Sequence, residues 1–328
     1  MVAVNRDWSP FVVSAPGKVI LFGEHAVVYG KAAIAGSLDM RAYALVTPRT
    51  DGKARMVLPD IDVDITFDCQ ALPRLSSEDL SHPSDVEPLV PSTIAIPEGA
   101  GRTTVLTFVY LHGCIFGEAE RNTGGFTLCV RSLLPVGAGL GSSAAFNVVL
   151  STTLLKLAGR LQAEGTSASD RKLINQWAFH GEQVAHGTPS GIDNSVSTYG
   201  GFLKYVKGEP SVSLESSHAL RVLITNTNVP KSTKVLVAGV RALRDQYSSV
   251  VDGILDSIHS ISTSAAELFQ ATNTVSTAAL EQRTQELIRI NHGLLSTLGV
   301  SHASLEQVRE ITAAHGLASK LTGAGGGG

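Results

Sequence analysis

The sequence predicts an α+β fold in two parts, and three observations lead there. Strand-like and helix-like segments mix along the chain without strict βαβ alternation, which points to antiparallel or mixed sheets. A glycine-rich junction over 135–145 follows a strand pattern and precedes a helix pattern. The β-type run Arg221–Thr227 then opens a second part dominated by helix patterns. A chain of 328 residues is long enough for two domains and a substantial buried core. The boundary is expected near residue 215, giving domains over 1–215 and 216–328.

The elements follow in order. Phe11–Val13 and Lys18–Phe22 read as strands bracketing a tight turn at Ala15-Pro16-Gly17. Arg41–Pro48 is expected to be a strand. Residues 70–101 carry Pro73, Pro83, Pro88, Pro91 and Pro97, and read as a surface excursion or a lid. Thr103–Phe116 is apolar enough for a buried helix. Phe126–Leu134 alternates as a strand, and Ala144–Ala158 is helical in composition. Arg171–Ala185 places Leu173, Trp177 and Val184 near one helix face. Gly200–Val206 reads as a strand. Helices are expected near 231–246, 248–269, 277–298 and 304–315, and Ser319–Gly328 as a strand running into a glycine loop.

Composition narrows the function classes. The chain is 43% hydrophobic and 17% charged, as in an ordinary globular protein. Lys and Arg total 26 against 29 Asp and Glu, a net charge of −3, which argues against a broad nucleic-acid or anionic-membrane surface. Three cysteines, Cys69, Cys114 and Cys129, have no metal-like spacing and read as reduced thiols of the cytosol. Residues 1–10 lack the apolar core of a signal peptide. No uninterrupted apolar run approaches the ~18 residues of a membrane span. A cytoplasmic location is expected.

The glycine junction carries the chemistry. Gly137, Gly139 and Gly141 stand where a strand hands over to a helix, so backbone N–H groups and the positive helix end can face a phosphate chain. The run is not a Walker A loop, because no Gly-Lys-Ser/Thr follows. It is not the dinucleotide fingerprint, because Ser142 stands where the last Gly belongs. On spacing alone, a plain tight turn fits as well as a phosphate loop. Ser142 and Ser143 add a choice of their own: they can cap the helix or ligate Mg²⁺.

Pro135-Val136-Gly137-Ala138-Gly139-Leu140-Gly141-Ser142-Ser143-Ala144-Ala145 resembles the phosphate-binding motif of the galactokinase, homoserine kinase, mevalonate kinase and phosphomevalonate kinase superfamily. Two further runs resemble its signatures in the right order: Ala15-Pro16-Gly17-Lys18-Val19-Ile20-Leu21-Phe22-Gly23-Glu24-His25, and Lys320-Leu321-Thr322-Gly323-Ala324-Gly325-Gly326-Gly327-Gly328. Ala-Pro-Gly-Lys combined with Glu24-His25 is similar to the mevalonate kinase family. The stretches 177–182, 187–194 and 225–233 support that likeness. The resemblance implies a two-domain small-molecule kinase with mixed sheets and a ferredoxin-like C-terminal domain. It implies phosphorylation of the C5 hydroxyl of mevalonate by ATP with Mg²⁺, for isoprenoid and sterol synthesis, by a cytosolic homodimer.

The resemblance also assigns roles. Asp193 is the implied catalytic base; read without it, Asp193 serves equally as a helix N-cap or Asx-turn residue. Lys18 is implied beside it, where an ammonium favours the charged carboxylate and a phosphate oxygen; otherwise it is a solvated lysine at a strand start. Ser143 and Glu182 are the implied Mg²⁺ holders, although a helix carboxylate is more often a surface partner at i,i+4. Ser132, Gly137, Ala138, Gly139, Leu140, Gly141, Ser142 and Ser143 are the implied nucleotide contacts, with Lys18. Glu24, His25 and Thr233 are assigned to the acceptor, with Lys231 near its carboxylate. Phe146 and Asp60 depart from residues common in relatives, which carry Tyr and Asn there. Relatives also continue beyond the third glycine motif, so this chain is expected to lack the C-terminal end and with it part of the second domain.

Overall fold

In the computed structural model, residues 8–75, 86–117, 124–135, 139–162, 167–187, 189–215, 219–271 and 275–327 are described. Phe11–Phe22 forms one unbroken strand, β1, where two strands and a turn were expected. The residue before a proline is pushed to extended conformations, and Pro itself holds an extended φ. Gly17 keeps a negative φ, so Ala15-Pro16-Gly17 continues the strand instead of turning it.

The remaining strands are β2 (Ala33–Arg49), β3 (Lys53–Leu58), β4 (Val63–Asp68), β5 (Gly125–Ser132), β6 (Phe202–Tyr205) and β7 (Val212–Leu214). The helices are α1 (Gly99–Gly117), α2 (Ser142–Leu157), α3 (Ala168–His186), α4 (Ile192–Tyr199), α5 (Thr233–Gln246), α6 (Ser248–Gln270), α7 (Thr277–Thr297) and α8 (Ala303–Ala314). Short 3₁₀ turns occupy Ala26–Tyr29, Pro59–Ile61 and Glu87–Leu89. The last of these, with α1, gives the 70–101 stretch local structure; residues 76–85 lie outside the described part.

Two compact units share the chain, each assembled from three segments. The first takes Met1–Gly17, Leu38–Pro135 and Gly141–Tyr199; the second takes Lys18–Ser37, Val136–Leu140 and Gly200–Gly328. In the first, β5 pairs antiparallel with β2 (Ala42↔Ser132 to Arg49↔Gly125) and parallel with β3, which pairs antiparallel with β4. Alternation decides which face is buried: Ala42, Ala44 and Val46 are inside while Tyr43 and Leu45 are exposed. Against the inner face pack the apolar residues of α1, with Phe67 stacked on Phe108 at 4.7 Å. Helix α3 starts where the Ser167 side chain accepts the Asp170 N–H at 3.0 Å.

In the second unit, the start of β2 pairs antiparallel with β6 (Ala33↔Tyr205 to Gly36↔Phe202), and β6 with β7. Its core gathers Val240, Val251, Leu255, Ile258, Leu295, Leu298, Val300 and Leu321 around Ala26. The run Arg221–Thr227 has no ladder partner among the described residues and is not a strand, and Leu223 is 75% exposed. Its β-branched composition suits a pleated surface, but a strand needs a neighbour's N–H and C=O groups. Ser319–Leu321 likewise forms no strand. No helix of the described residues is long and apolar enough to cross a membrane, and Cys69, Cys114 and Cys129 are free thiols.

Candidate active site

The first unit holds a buried carboxylate at the head of the glycine-junction helix. Gly141, at φ +76°, is the N-cap of α2, and Ala145 N–H reaches the Gly141 carbonyl at 2.9 Å. A left-handed φ strains any residue with a Cβ, so glycine suits both Gly139 (φ +76°) and Gly141. Ser142 and Ser143 therefore fall in the first helical turn and do not cap it. The Ser143 hydroxyl instead donates to Glu182 Oε1 at 2.8 Å. Asn147, one turn further along α2, donates to the same oxygen at 2.6 Å. His186, one turn beyond Glu182 on α3, has Nε2 3.2 Å from the Ser143 hydroxyl and 3.9 Å from Glu182 Oε2.

Burial is the main cause that pushes the Glu182 carboxyl above the usual range, and the Asp193 carboxylate adds to it. The hydrogen bonds from Ser143 and Asn147 and the neighbouring His186 work the other way. Asp193 stands in the first turn of α4, half-buried, after Gly191 at φ +84°. Asn194 beside it donates to Asn175 Oδ1 at 2.8 Å, which ties α4 to α3. Ser132 ends β5, and its N–H donates to Asp60 Oδ2 at 2.8 Å, while Arg131 pairs with the other oxygen at 2.9 Å. The Ser132 N–H and its neighbour lower the Asp60 pKa.

The second unit holds Lys18, Lys231 and the residues expected on the acceptor side. Lys18 is buried, and its N–H donates to the Leu140 carbonyl at 2.9 Å, which joins the first motif to the glycine junction. Lys231 Nζ lies 3.8 Å from where a Cβ on Gly139 would stand. Burial, then the positive charge of Lys18, holds the Lys231 ammonium below its ordinary value. Two cations beside a glycine junction suit a polyphosphate. Thr233 is exposed at the first position of α5, behind the Ser232 N-cap. His25 takes φ +60°, and its Nε2 lies 2.9 Å from the Ala324 carbonyl. The Glu24 carboxylate is buried, facing Lys320 Nζ and Asn291 Nδ2.

The predicted residues thus divide between the two units: Ser132, Gly141, Ser142, Ser143, Glu182 and Asp193 in one, and Lys18, Glu24, His25, Gly139, Leu140 and Thr233 in the other. Gly137 and Ala138 lie outside the described residues. Asn147, His186, Asn291 and Lys320 take part without having been predicted. Asn147 and His186 were discoverable, since each stands four residues beyond a predicted ligand on the same helix face.

The donors available to Mg²⁺ are a serine hydroxyl and a buried carboxylate 2.8 Å apart. Hard oxygen ligands in that number fit an ion that keeps waters and substrate phosphates as its other ligands. Among the described residues no group of three His, Cys, Asp or Glu is built to hold a metal by itself.

Comparison with known proteins shows the family of the chain. The family described as GHMP kinases N terminal domain matches residues 109–201. Mevalonate kinase of Mus musculus is 43% identical, over 97% of this chain and 84% of its own length. The crystal structure of the Methanococcus jannaschii mevalonate kinase shares the fold at TM-score 0.71, with 21% identity, over 98% of this chain and 90% of that one. The L. major mevalonate kinase in complex with R-mevalonate is similar at TM-score 0.69 and 25% identity, over 97% and 85%. The fold is that of the two-domain GHMP kinases, and identity sustained across nearly all of its length shows that the chain belongs to the mevalonate kinase family.

Proposed function

We propose that the chain transfers the γ-phosphoryl group of ATP to the C5 hydroxyl of mevalonate, giving 5-phosphomevalonate and ADP. The observation that carries the reading is the Ser143–Glu182 pair, its carboxylate buried at the head of the glycine-junction helix, in a chain of this family. In this reading Asp193 accepts the proton of the C5 hydroxyl as the oxygen forms its bond to phosphorus and the bond to the departing ADP oxygen breaks. Lys18 and Lys231 offset negative charge on the phosphates, and the N–H groups at Gly139–Ser143 orient them. Ser132 and Ser142 complete the nucleotide contacts, with Gly137 and Ala138 of the same run. His25 and Thr233 face the acceptor, with Glu24 behind His25. Ser143 and Glu182 would hold Mg²⁺, which when bound neutralises phosphate charge.

The same reading assigns the chain an N-terminal kinase domain over 1–215 and a C-terminal domain over 216–328. It makes the protein a cytosolic homodimer in isoprenoid synthesis, with no nucleic-acid or membrane partner.

A coupled assay of the chain with ATP and Mg²⁺ tests the acceptor. Mevalonate is expected to be turned over in preference to galactose, homoserine and phosphomevalonate, and equal activity with any of these overturns the reading. Asp193→Asn is expected to lower kcat at least ~10²-fold with nucleotide binding intact, because general-base contributions run about 10²–10⁴-fold. A variant with near-normal kcat removes Asp193 from the chemistry.

A further inference from the structure

The third glycine run is fastened to the first motif by buried polar groups far apart in sequence. Glu24 is 1% exposed, and a carboxylate so buried demands partners. Lys320 Nζ pairs with one of its oxygens, and Asn291 Nδ2 of α7 donates to the other at 3.1 Å. Lys320 Nζ also donates to the Leu321 carbonyl at 2.7 Å. The Leu321 N–H donates to His292 Nδ1 at 3.3 Å, and the Thr322 hydroxyl to the Ile20 carbonyl at 2.9 Å. The Gly326 N–H reaches the Val300 carbonyl at 2.8 Å.

This fastened run ends at His25. A non-glycine residue at φ +60° is strained, and such strain persists where its surroundings over-determine it. Here the Ala324 carbonyl fixes the ring. A carbonyl only accepts, so His25 Nε2 carries the proton, and in the neutral ring Nδ1 is left as an acceptor. A ring held in that way has Nδ1 free in its chemistry to accept from a hydroxyl donor.

We propose that Glu24 is a positioning residue: through Lys320 and Asn291 it holds the third glycine run, and through Ala324 it sets the placement and tautomer of His25. The proposal rests on the mevalonate kinase reading and deepens it, because Glu24 then acts on the acceptor without touching it. Asn291 and Lys320 become members of the machinery.

The test is a double-mutant cycle of Glu24→Gln, Lys320→Gln and the pair together, read by thermal melting and by kcat and KM for mevalonate. Each single variant leaves a buried charge without its partner, so kcat is expected to fall at least ~10-fold with KM changed less than ~3-fold. The double variant, with two amides able to hydrogen-bond, is expected to return kcat to within ~3-fold of the unaltered protein. A double variant no better than Glu24→Gln, or with a KM for mevalonate raised ~10-fold, makes Glu24 a substrate ligand and overturns the proposal. Asn291→Ser keeps both charges and guards against variants that do not fold. It is expected to lower kcat ~3–10-fold at unchanged KM, and an unchanged kcat overturns the proposal. If the unaltered protein does not phosphorylate mevalonate, the acceptor reading alone fails; melting still reads the coupling of Glu24 to Lys320, and additive losses there overturn the clamp.

Discussion

His112 shows how one side chain ties stability to pH. It lies on α1 with its ring 5.7 Å from Phe108 and 4.6 Å from Phe116, and neither nitrogen has a partner among the described residues. Burial pushes its pKa down from 6.5 to about 4. Between those two values the unfolded chain binds a proton that the folded one refuses, so stability falls as pH is lowered through this window. The loss is about 2 kcal/mol at pH 5. His112→Leu is expected to raise Tm at pH 8, because an unsatisfied buried polar group costs about 1–3 kcal/mol, and to raise it further at pH 5. Melting curves at both pH values check this; equal shifts would show that His112 does not titrate in that range. Other residues differ in how far they could be read from sequence. Ser143 and Glu182 were expected together from the resemblance and do pair, whereas Asn147 was not expected although helical spacing could have found it. The pairing of Glu24 with Lys320 was not legible: the resemblance assigned Glu24 to the acceptor, and only folding brings residue 320 to it.

At the scale of elements, the contact of α3 with α2 and α1 is set by Gly181. A Cβ there would stand 3.0 Å from Asn147 Cγ and Oδ1 and 3.3 Å from Thr107 Cγ2. In an open helix, Gly→Ala gains about 1 kcal/mol of propensity. Here Gly181→Ala has to move Asn147, which donates to Glu182. The variant is expected to lower Tm and raise the Mg²⁺ concentration needed for half-maximal activity several-fold, which melting and a metal titration measure. A stabilised variant with an unchanged metal requirement would show slack in this packing. The helices after residue 230 lie close to where their periodicity predicted them, because amphipathic spacing is local. The strands were less legible. Whether Ala15-Pro16-Gly17 turns or continues, and whether Arg221–Thr227 pairs, depends on neighbours that the local sequence does not name.

At the scale of the whole molecule, the second unit closes on its own glycines. Gly325, at φ +80°, has no room for a side chain: a Cβ would overlap the Val300 carbonyl oxygen. Gly325→Ala is expected to lower Tm by several degrees and to reduce kcat for mevalonate phosphorylation at least ~10-fold, since strain and displacement act together. Unchanged melting and turnover would show that the run can shift without loss. The expected boundary near residue 215 treats the domains as consecutive, whereas the compact units interleave. That interleaving bears on how the protein is made. By the time Tyr199 has left the ribosome, every segment of the first unit has been synthesised, but Lys18–Ser37 still waits for the rest of its own unit. Ile20 meets Thr322 across 302 residues of sequence and Glu24 meets Lys320 across 296, closures that contribute late and slowly to folding. Through most of synthesis the nascent chain therefore carries an apolar segment, Val19–Phe22, that has its β2 neighbour but not its C-terminal ones, which makes that stretch a natural target for a chaperone on the ribosome.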